Sequence, residues 1–405
     1  MRKINHKTLF IMLSLGITAC HVAVEKPEKR VFNVDKAIQH AVDKVKLSET
    51  ILSDTNRMPR TIETGNKEWK LASIHDWTSG FWPGILWYSF EATGDSTILK
   101  DAEKSTEALS GVLDVPVADH DLGFMLYCSY GNGERLIHKP GYKKCIIRAA
   151  DSLATLYNPT VGTILSWPAM VQKMNWPHNT IIDNMMNLEL LFQATKYGGS
   201  PNLYNIAVKH AETTLKHHIR PDYTTYHVAV YDTVNGGFIK GVTHQGYSDS
   251  SMWARGQAWG IYGFTMCYRE TGKPEFLETA EKLAEVYLRR LPNDMIPYWD
   301  FEDPDIPDAP KDASSAAIVA SALLELSGFE KNDTLAARYK NAAVDMLAEL
   351  SSHMYQAPSD MPCILIHSTG NKPNYSEIDV PLIYADYYYL EALLRLKNIM
   401  LENPV

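Results

Sequence analysis

Residues 253–290 decide the fold, and they read WARGQAWGIYGFTMCYRETGKPEFLETAEKLAEVYLRR. Apolar residues recur at the spacing of an α-helix over 253–270 and again over 274–290. Thr271-Gly272-Lys273 separates the two patterns, and glycine is favoured just past the end of a helix because the backbone often turns left-handed there. The stretch therefore predicts two antiparallel helices joined by a tight link, a helix hairpin.

The same pattern extends over the rest of the chain. Helical periodicity predicts twelve segments, near 31–53, 80–93, 97–111, 121–133, 138–156, 182–197, 201–218, 253–270, 274–290, 313–327, 332–350 and 378–397. Short glycine-containing links are predicted at Thr93-Gly94-Asp95, Gly131-Asn132-Gly133, Gly198-Gly199-Ser200, Thr271-Gly272-Lys273 and Ser327-Gly328. Strand signals predict only one hairpin, formed by Tyr226–Tyr231 and Gly237–Lys240 with Asn235-Gly236 at the turn.

Long connections alternate with these short links, and they carry most of the Trp, His and Pro residues: 54–79, 157–181, 219–252, 291–312 and 351–377. Six helix pairs joined in this way fit a closed ring. We therefore expect an all-α fold, an (α/α)6 barrel with its long loops on one face. An irregular α-solenoid is the alternative. Trp and Asp at the starts of alternate helices favour the ring, because its inner helices would converge on a shared pocket.

Composition bounds the architecture and the partners. The 405 residues would allow two or three domains, but no Gly-, Ser- or Pro-rich linker divides the chain, so one domain over 31–405 is expected. A hydrophobic content of 45% with 21% charged residues is typical of a globular protein and excludes a disordered chain. The formal net charge of −9 argues against a nucleic-acid partner, because phosphate neutralisation needs an excess of Lys and Arg.

The N-terminus has the order of a secretory signal. Basic residues precede an apolar run over 9–17 that is too short to span a bilayer. The run ends in ITAC at 17–20, which is similar to a bacterial lipobox. We expect 1–20 to be a lipoprotein signal, Cys20 to be lipidated and 21–30 to be a tether, so that the lipid anchor is the protein's one contact with the membrane. An ordinary signal peptide is the alternative. No run of acidic residues follows Cys20, which favours the periplasm as the location in the bacterial envelope.

The remaining cysteines and the known motifs point to no cofactor and no metal. The four cysteines after Cys20 are widely separated and lack C-x-x-C spacing, and Cys128 and Cys267 lie inside apolar helical patterns as core thiols. The sequence contains no H-E-x-x-H, no phosphate-binding loop, no G-x-G-x-x-G after a strand and no G-x-S-x-G. Metalloprotease, nucleotide-binding and α/β-hydrolase functions therefore have no support.

Two aspartates are candidate catalytic residues. Asp121 and Asp183 stand at the starts of two alternate predicted helices. Each could simply cap its helix, because an N-terminal Asp is favourable there. In a ring, however, both would point at one centre. Like charges at short range disfavour double ionisation, so one carboxyl could stay protonated as a general acid near neutral pH.

Aromatic and basic residues near other helix starts suit an acidic sugar. Trp77 stands beside glycines before the second helix, and an indole can stack on the C–H face of a pyranose, although the nearby Trp82 and Trp87 could be core residues. Arg255 and Trp259 are four residues apart and share a helix face, so the guanidinium could bind a sugar carboxylate while the indole takes the ring. His227 and Gln245 could add polar contacts, although a lone His is more often structural.

Several motifs, taken together and in order, resemble the unsaturated glucuronyl hydrolases of glycoside hydrolase family 88. The matching stretches are WTSGFWPG at 77–84, HDLGF at 120–124, DNMMN at 183–187, WARGQAWG at 253–260, SEID at 376–379 and YADYY at 384–388. The resemblance covers 31–397. It implies an (α/α)6 barrel that needs no metal and removes 4,5-unsaturated glucuronic acid from the non-reducing end of oligosaccharides left by polysaccharide lyases, including glycosaminoglycan fragments.

The resemblance also implies an unusual reaction. In this family an acid protonates C4 of the C4=C5 vinyl ether, water adds at C5, and the hemiketal opens and releases the partner sugar. Asp183 matches the general acid/base and Asp121 the second essential carboxylate. Further matched positions would hold the unsaturated uronate or lie beside it: His227, Gln245, Arg255, Trp259 and Trp77. Trp167 and Tyr375 are expected at the neighbouring sugar, and Lys372 could meet a sulfate there or be a solvated loop lysine.

Two other functions are also consistent with these sequence features. The unsaturated rhamnogalacturonyl hydrolases, which act on pectin fragments, have a stretch similar to Trp253–Gln257. A lipoprotein that captures oligosaccharides without cleaving them would also use aromatic and basic residues. The HDLGF and SEID stretches favour the glucuronyl family.

Overall fold

The computed structural model describes residues 32–52 and 56–402. The described residues from Asn33 onward cluster as one compact unit. The expected signal segment, the lipidation site Cys20 and the tether lie outside the described residues. Within the two described ranges, no helix has both the length and the apolar character that a membrane span requires.

Helices dominate the structure, and all twelve predicted segments are found. In chain order they are α1 (Val34–Ile51), α2 (Phe81–Thr93), α3 (Ser96–Ala108), a π-helix (Gly123–Gly131) that continues into α4 (Asn132–Ile137), α5 (Tyr142–Ala154), the short α6 (Pro168–Lys173), a 3-10 turn (Ile182–Asn187) that continues into α7 (Leu188–Lys196), α8 (Pro201–His217), α9 (Ala254–Thr271), α10 (Pro274–Arg290), α11 (Ala313–Phe329), α12 (Asp333–Leu350) and α13 (Ile383–Glu402).

Burial divides these helices into two rings. The inner ring contains helices that are buried on nearly every side: α2, the π-helix with α4, the 3-10 turn with α7, α9, α11 and α13. The outer helices each bury one stripe against this ring: α1, α3, α5, α8, α10 and α12. Inner and outer helices alternate along the chain, which confirms the (α/α)6 barrel.

The ring closes between the two ends of the chain. Helix α13 packs against both α11 and α2, and α1 packs outside on α13. The first and the last helix therefore form the sixth pair. Ser48 Oγ, near the end of α1, donates to the carbonyl of Pro362 at 2.8 Å, so this pairing also ties down the connection that precedes α13.

The predicted links are correct in some places and wrong in others. Gly94 and Gly272 end α2 and α9 with positive φ angles of 68° and 67°, as predicted. The link predicted at 131–133 is wrong, because those residues continue the helix into α4 and the chain turns at His138 instead. A Cβ on Gly133 would lie 2.5 Å from the Tyr142 ring, so this glycine serves helix packing. The link at 327–328 is also misplaced, since α11 runs on to Phe329.

The strands are short and lie in the long connections. They are β1 (Arg57–Thr61), β2 (Lys70–Ser73), β3 (Tyr157–Asn158), β4 (Thr163–Ile164), β5 (His178–Ile181), β6 (Val228–Tyr231) and β7 (Phe238–Val242). The predicted hairpin is present as β6 and β7, and Gly236 in its turn has a φ of 73°. The pairing of β5 with β6 and the β1–β2 hairpin were not predicted. Strand β5 leads directly into the turn that carries Asp183.

Several residues with two possible roles belong to the core. Trp82 and Trp87 are buried, and Trp87 Nε1 donates to Thr106 Oγ1 at 2.9 Å. Cys128 and Cys267 are buried and free, as expected for core thiols. The two tryptophans therefore stabilise the packing of α2 and leave ligand contact to Trp77.

Candidate active site

A cavity of about 280 Å³ opens at the end of the barrel where the inner helices begin. Seven of the nine predicted catalytic and substrate-binding residues line it: Trp77, Asp121, Trp167, Asp183, Gln245, Arg255 and Trp259. These residues come from the starts of three inner helices and from three long connections. The expectation that inner helices converge on a shared pocket is confirmed.

Asp121 is held at the entrance of the π-helix by two neighbouring motifs. Its backbone N–H donates to Asp119 Oδ1 at 3.0 Å, and Asn187 Nδ2 lies 3.5 Å from its Oδ1. A Cβ on Gly123 would lie 2.6 Å from the Asn187 backbone, so only glycine permits this approach. The HDLGF and DNMMN stretches therefore fit together as one unit.

Burial and like charges keep the proton on Asp121. Burial raises the pKa of Asp121 well above its usual range, and the nearby carboxyls of Asp119, Asp183 and Asp76 raise it further. His120 Nε2 lies 3.5 Å from Asp121 Oδ1, but burial lowers the pKa of His120 to about 3. The neighbouring imidazole is therefore neutral and provides no positive charge to ionise Asp121.

Asp183 combines a raised pKa with a buried carboxyl oxygen that has no partner among the described residues. It is 9% exposed, and burial raises its pKa to about 7, while the positive charge of Arg255 opposes the rise. Among the described residues, Asp183 Oδ2 has no hydrogen-bond partner. A carboxyl that holds its proton near neutral pH and faces a cavity is suited to general acid-base catalysis.

His227 lies behind Asp183, next to the cavity wall. Its Nδ1 accepts the backbone N–H groups of His244 and Gln245 at 3.0 and 3.1 Å. The proton of the neutral ring must therefore be on Nε2, which lies 4.0 Å from Asp183 Oδ2. Burial lowers the pKa of His227 well below its usual value, and the neighbouring His244 and Arg255 lower it further. His227 is thus a neutral donor that faces the Asp183 carboxyl.

The Arg255 guanidinium is largely engaged by the protein itself. Nη1 donates to Asp312 Oδ2 at 3.0 Å and to the Thr369 carbonyl at 2.5 Å, and Nη2 donates to the Gly370 carbonyl at 2.5 Å. Its Cζ lies 4.6 Å from the centre of the Trp253 ring. Gln245 Nε2 donates to the same Gly370 carbonyl at 3.3 Å. Direct binding of a carboxylate by Arg255 stays a prediction, and it would have to use the Nε and the second Nη2 hydrogen.

Aromatic rings form two sides of the cavity. Trp77 lies 5.0 Å from Tyr384 and 5.6 Å from Phe124 between ring centres, and Trp259 lies 5.2 Å from the same Phe124 ring. On the other side, the Trp167 ring stands edge-on to His227, with 5.7 Å between the centres. The acids therefore lie among flat apolar surfaces of the kind that stack on a sugar ring.

Two candidates for the neighbouring sugar lie outside this cavity. Tyr375 is 92% exposed and lines a separate outer cleft. Lys372 Nζ pairs with Asp303 Oδ2 at 2.5 Å and lies 5.2 Å from the centre of the Trp299 ring. Lys372 is therefore an engaged lysine, and sulfate binding by it stays a prediction.

The sequence did not predict Arg60, which lines the cavity, or Asp312, which is a partner of Arg255. Arg60 lies on β1 and pairs with Asp76 and Glu377, each at 2.6 Å. No pattern in the connection 54–79 distinguishes this arginine. Asp312, which holds Arg255, carries the signal that identified Asp121 and Asp183, because it caps the start of an alternate helix. In the described part of the chain, no group of His, Cys, Asp or Glu is placed to hold a metal ion.

The model of Glycosyl Hydrolase Family 88 matches residues 47–391. The chain belongs to glycoside hydrolase family 88. This family 88 enzyme is 43% identical over 407 residues to an unsaturated glucuronyl hydrolase of Formosa agariphila, with 98% of this chain and 100% of the relative covered. It is 31% identical to an unsaturated chondroitin disaccharide hydrolase of Streptococcus pyogenes, with 90% of this chain and 91% of the relative covered.

Solved structures agree with these relatives. A crystal structure of an unsaturated glucuronyl hydrolase specific for heparin has a TM-score of 0.85 to the family 88 enzyme at 42% identity, covering 90% of this chain and 97% of the other. The resemblance drawn from the sequence motifs is confirmed, and the protein is a glycosidase. The rhamnogalacturonyl and non-catalytic alternatives gain no support from these relatives.

Proposed function

We propose that the enzyme removes 4,5-unsaturated glucuronic acid from the non-reducing end of lyase-generated glycosaminoglycan-type oligosaccharides. The observation that carries this proposal is Asp183, a buried carboxyl with a pKa of about 7 that faces a sugar-sized aromatic cavity. Protonation of a vinyl ether requires a donor that still holds its proton at neutral pH.

The reaction begins with a proton transfer from Asp183 to C4. The ring oxygen donates electrons into the C4=C5 bond, so that C4 accepts the proton and C5 becomes an oxocarbenium centre. The Asp183 carboxylate then takes a proton from the water that adds at C5, which returns Asp183 to its starting state. The resulting C5 hemiketal opens, leaving C1 as a hemiacetal that releases the partner sugar. The overall change is the addition of water.

Neighbouring residues support each protonation state of Asp183. The positive charge of Arg255 opposes the rise of the Asp183 pKa and would stabilise the carboxylate after proton transfer. The Nε2–H of His227 lies 4.0 Å from Asp183 Oδ2, and its dipole would also stabilise the Asp183 carboxylate. Asp121, with its own raised pKa, supplies the second carboxyl without adding a full negative charge beside the uronate.

The substrate is anionic while the protein carries a formal net charge of −9, so local positive groups must bind it. Arg255 lies in the cavity wall, and the nearby Asp121 and Asp183 are held largely neutral by burial. This local arrangement lets an acidic sugar enter a protein that is acidic overall. We infer that Arg255 reaches the uronate carboxylate through its remaining N–H groups.

The decisive experiment follows the ultraviolet absorbance of the unsaturated bond in disaccharides generated by lyases from heparin, chondroitin, hyaluronan and ulvan, with a rhamnogalacturonan disaccharide as a further arm. Loss of absorbance on a glucuronyl substrate supports the proposal. Asp183→Asn should lower kcat about 100- to 10,000-fold, since it removes the acid. Asp151→Asn, on the exposed face of α5, is the matched control. Full turnover by Asp183→Asn would contradict the role of Asp183, and cleavage of only the rhamnogalacturonan substrate would contradict the substrate class.

We also propose that the protein is a lipoprotein of the bacterial envelope, with the periplasm as its location. The support is the sequence ITAC at 17–20 after a basic and apolar segment. Cys20→Ala should move the enzyme from the membrane fraction to the soluble fraction and abolish its labelling by a fatty acid. Unchanged labelling would contradict lipidation at Cys20.

A further inference from the structure

A second cavity lies at the opposite end of the barrel from the active site. Its volume is about 270 Å³, close to the 280 Å³ of the active-site cavity. Glu91, Arg269 and Asn398 line it near the C-terminal ends of α2, α9 and α13. Among the described residues, Phe124 alone lines both cavities, so the two meet only at this ring. We call the second one the distal cavity.

The arginines of the distal cavity are already paired with carboxylates. The partners are Glu91 for Arg135, then Glu189, Glu270 and Glu325 for Arg269, and Glu325 and Glu391 for Arg395. Among the described residues, these five carboxylates have one further cation, Lys196, which pairs with Glu270. Five carboxylates therefore share four cations, so one negative charge is left over. An anionic ligand would find no unpaired arginine here.

Glu189 shows the effect of this surplus charge. Burial raises the pKa of Glu189, and the charges of three neighbouring glutamates raise it further, although Arg269 opposes the rise. Its Oε1 accepts a hydrogen bond from Arg269, whereas its Oε2 has no hydrogen-bond partner among the described residues. A positive ligand beside this carboxylate would be attracted, and an anion would be repelled.

Two tyrosine hydroxyls of the distal cavity also lack partners. Tyr388 is only 2% exposed, and neither its hydroxyl nor that of Tyr127 forms a hydrogen bond with another described residue. A Cβ on Gly131 would lie 2.7 Å from the Tyr127 ring, so this glycine makes room for the ring at the end of the π-helix. Buried polar groups in proteins are nearly always hydrogen-bonded, so these oxygens call for an occupant that can donate to them.

The size and the walls of the distal cavity determine what kind of cation fits. In the described ranges, no group of His, Cys, Asp or Glu is placed to hold a metal ion, and about 270 Å³ is far more than one ion fills. The rings of Tyr127, Tyr387 and Tyr388 form part of the wall, and aromatic rings attract organic cations. A molecule with an ammonium group and a few carbon atoms meets both conditions.

We propose that the distal cavity binds a small organic cation whose ammonium group donates to Glu189 and to the hydroxyls of Tyr127 and Tyr388. This site is distinct from the one that binds the acidic sugar. Its occupant would neutralise the surplus negative charge, so binding should stabilise the folded protein. Because the two cavities meet only at Phe124, kcat/KM should stay unchanged.

The test uses two probes on the full enzyme, ethanolamine and ethylene glycol, which differ in that the second has a hydroxyl in place of the ammonium group. At equal ionic strength, ethanolamine should raise Tm with a saturable dependence on concentration, and ethylene glycol should not. By titration calorimetry, Glu189→Gln should raise the Kd for ethanolamine about tenfold, and Tyr127→Phe about threefold. Glu212→Gln is the matched control, because Glu212 forms an exposed pair with Lys273 and lines neither cavity.

Four results would overturn the proposal. The first is the absence of any rise in Tm with ethanolamine, and the second is an equal rise with ethylene glycol. The third is an unchanged Kd in both Glu189→Gln and Tyr127→Phe, or in Tyr127→Phe alone if Glu189→Gln does not fold. The fourth is competitive inhibition of the hydrolysis by ethanolamine, because it would place the amine beside Asp121 and Asp183. Saturable stabilisation with unchanged kcat/KM supports the proposal.

Discussion

The two ends of the inner ring bury carboxyl groups in opposite ways. At the end where the helices begin, Asp121 and Asp183 have raised pKa values and no cation within ion-pair distance among the described residues. At the other end, Glu325 lies between Arg269 and Arg395, at 2.8 and 2.6 Å. Burial would raise the pKa of Glu325, but the two arginines lower it below its usual value.

Burial is therefore not what separates the two ends, because all these acids lie inside the protein. The difference lies in their neighbours. Arg269, in the last turn of α9, and Arg395 of α13 both pair with Glu325 and lower its pKa, so Glu325 stays ionised. At the open end, where the inner helices begin, Asp121 and Asp183 lie near each other. Their raised pKa values keep the protons bound to these carboxyls. One end stabilises the ring, and the other holds a proton for catalysis.

Removing a cation from the paired end should give the largest change in stability. Arg395→Met leaves Glu325 with one arginine and Glu391 with none, and uncompensated buried charge costs about 3–5 kcal/mol. We expect the free energy of unfolding in urea to fall by that amount, with kcat of the folded enzyme unchanged.

Arg148→Met is the matched control for that variant. Arg148 forms an exposed pair with Asp114, with side chains 56% and 69% exposed, and such pairs contribute little. A fall in kcat without loss of stability in Arg395→Met would contradict the distinction between the two ends, because it would give the paired end a role in catalysis.

Asp183→Asn, at the open end, should instead raise the free energy of unfolding. Folded Asp183 has a pKa of about 7, whereas an unfolded aspartate has a pKa of about 3.9. Between these values the folded protein keeps a proton that the unfolded chain releases, so the stability due to this group falls as the pH rises. We expect Asp183→Asn to unfold like the wild type near pH 4 and to be more stable by on the order of 4 kcal/mol at pH 8.

The measurement for Asp183→Asn is urea unfolding at several pH values. A stability difference that does not change between pH 4 and pH 8 would mean that Asp183 has an ordinary pKa. The same pKa predicts that kcat/KM of the wild-type enzyme falls as the pH rises above about 7, because the acid then loses its proton.

The smallest predicted effect concerns Asp119. Its charge adds to the raised pKa of Asp121, together with Asp183 and Asp76, while His120 is neutral and Arg60 pairs with Asp76. Asp119→Asn keeps an oxygen for the Asp121 N–H but removes the charge. The limb of the kcat/KM profile that Asp121 controls should therefore move to lower pH by less than about one unit.

Asp119→Glu restores the charge and serves as the comparison for Asp119→Asn. It should return that limb toward its wild-type position. A limb that stays in place in Asp119→Asn would show that Asp119 acts only as a hydrogen-bond acceptor for the backbone.

The helices and the central acids could be predicted because their signals are local. Helical periodicity and caps lie within each segment, and Asp121 and Asp183 stand at helix starts that a ring must bring together. The link at 131–133 was misplaced for a tertiary reason: Gly133 accommodates the Tyr142 ring. Glycine marked a close contact there, and the sequence does not distinguish that from a helix end.

The partners of the site residues could not be predicted in the same way. Arg255 meets Asp312 and the carbonyls of residues 369–370, which lie 57 to 115 positions further along the chain. The sequence shows that an arginine and a tryptophan share a helix face, but not that the arginine is already occupied. Arg60 lies on a short strand with no periodic signal, and Tyr375 belongs to a turn that only the folded loop positions at the outer cleft.

The pairing of α1 with α13 determines when this protein can finish folding. Thr61 Oγ1, at the end of β1, donates to the carbonyl of Pro381, a residue 320 positions later. Contacts of such large sequence separation form slowly, because a long loop must close first. Helix α13 also brings Tyr384 to the active site and Glu391 to the opposite end. Because synthesis begins at the N-terminus, α1 has no partner until α13 has been made. The active site is therefore complete only after α13 has folded.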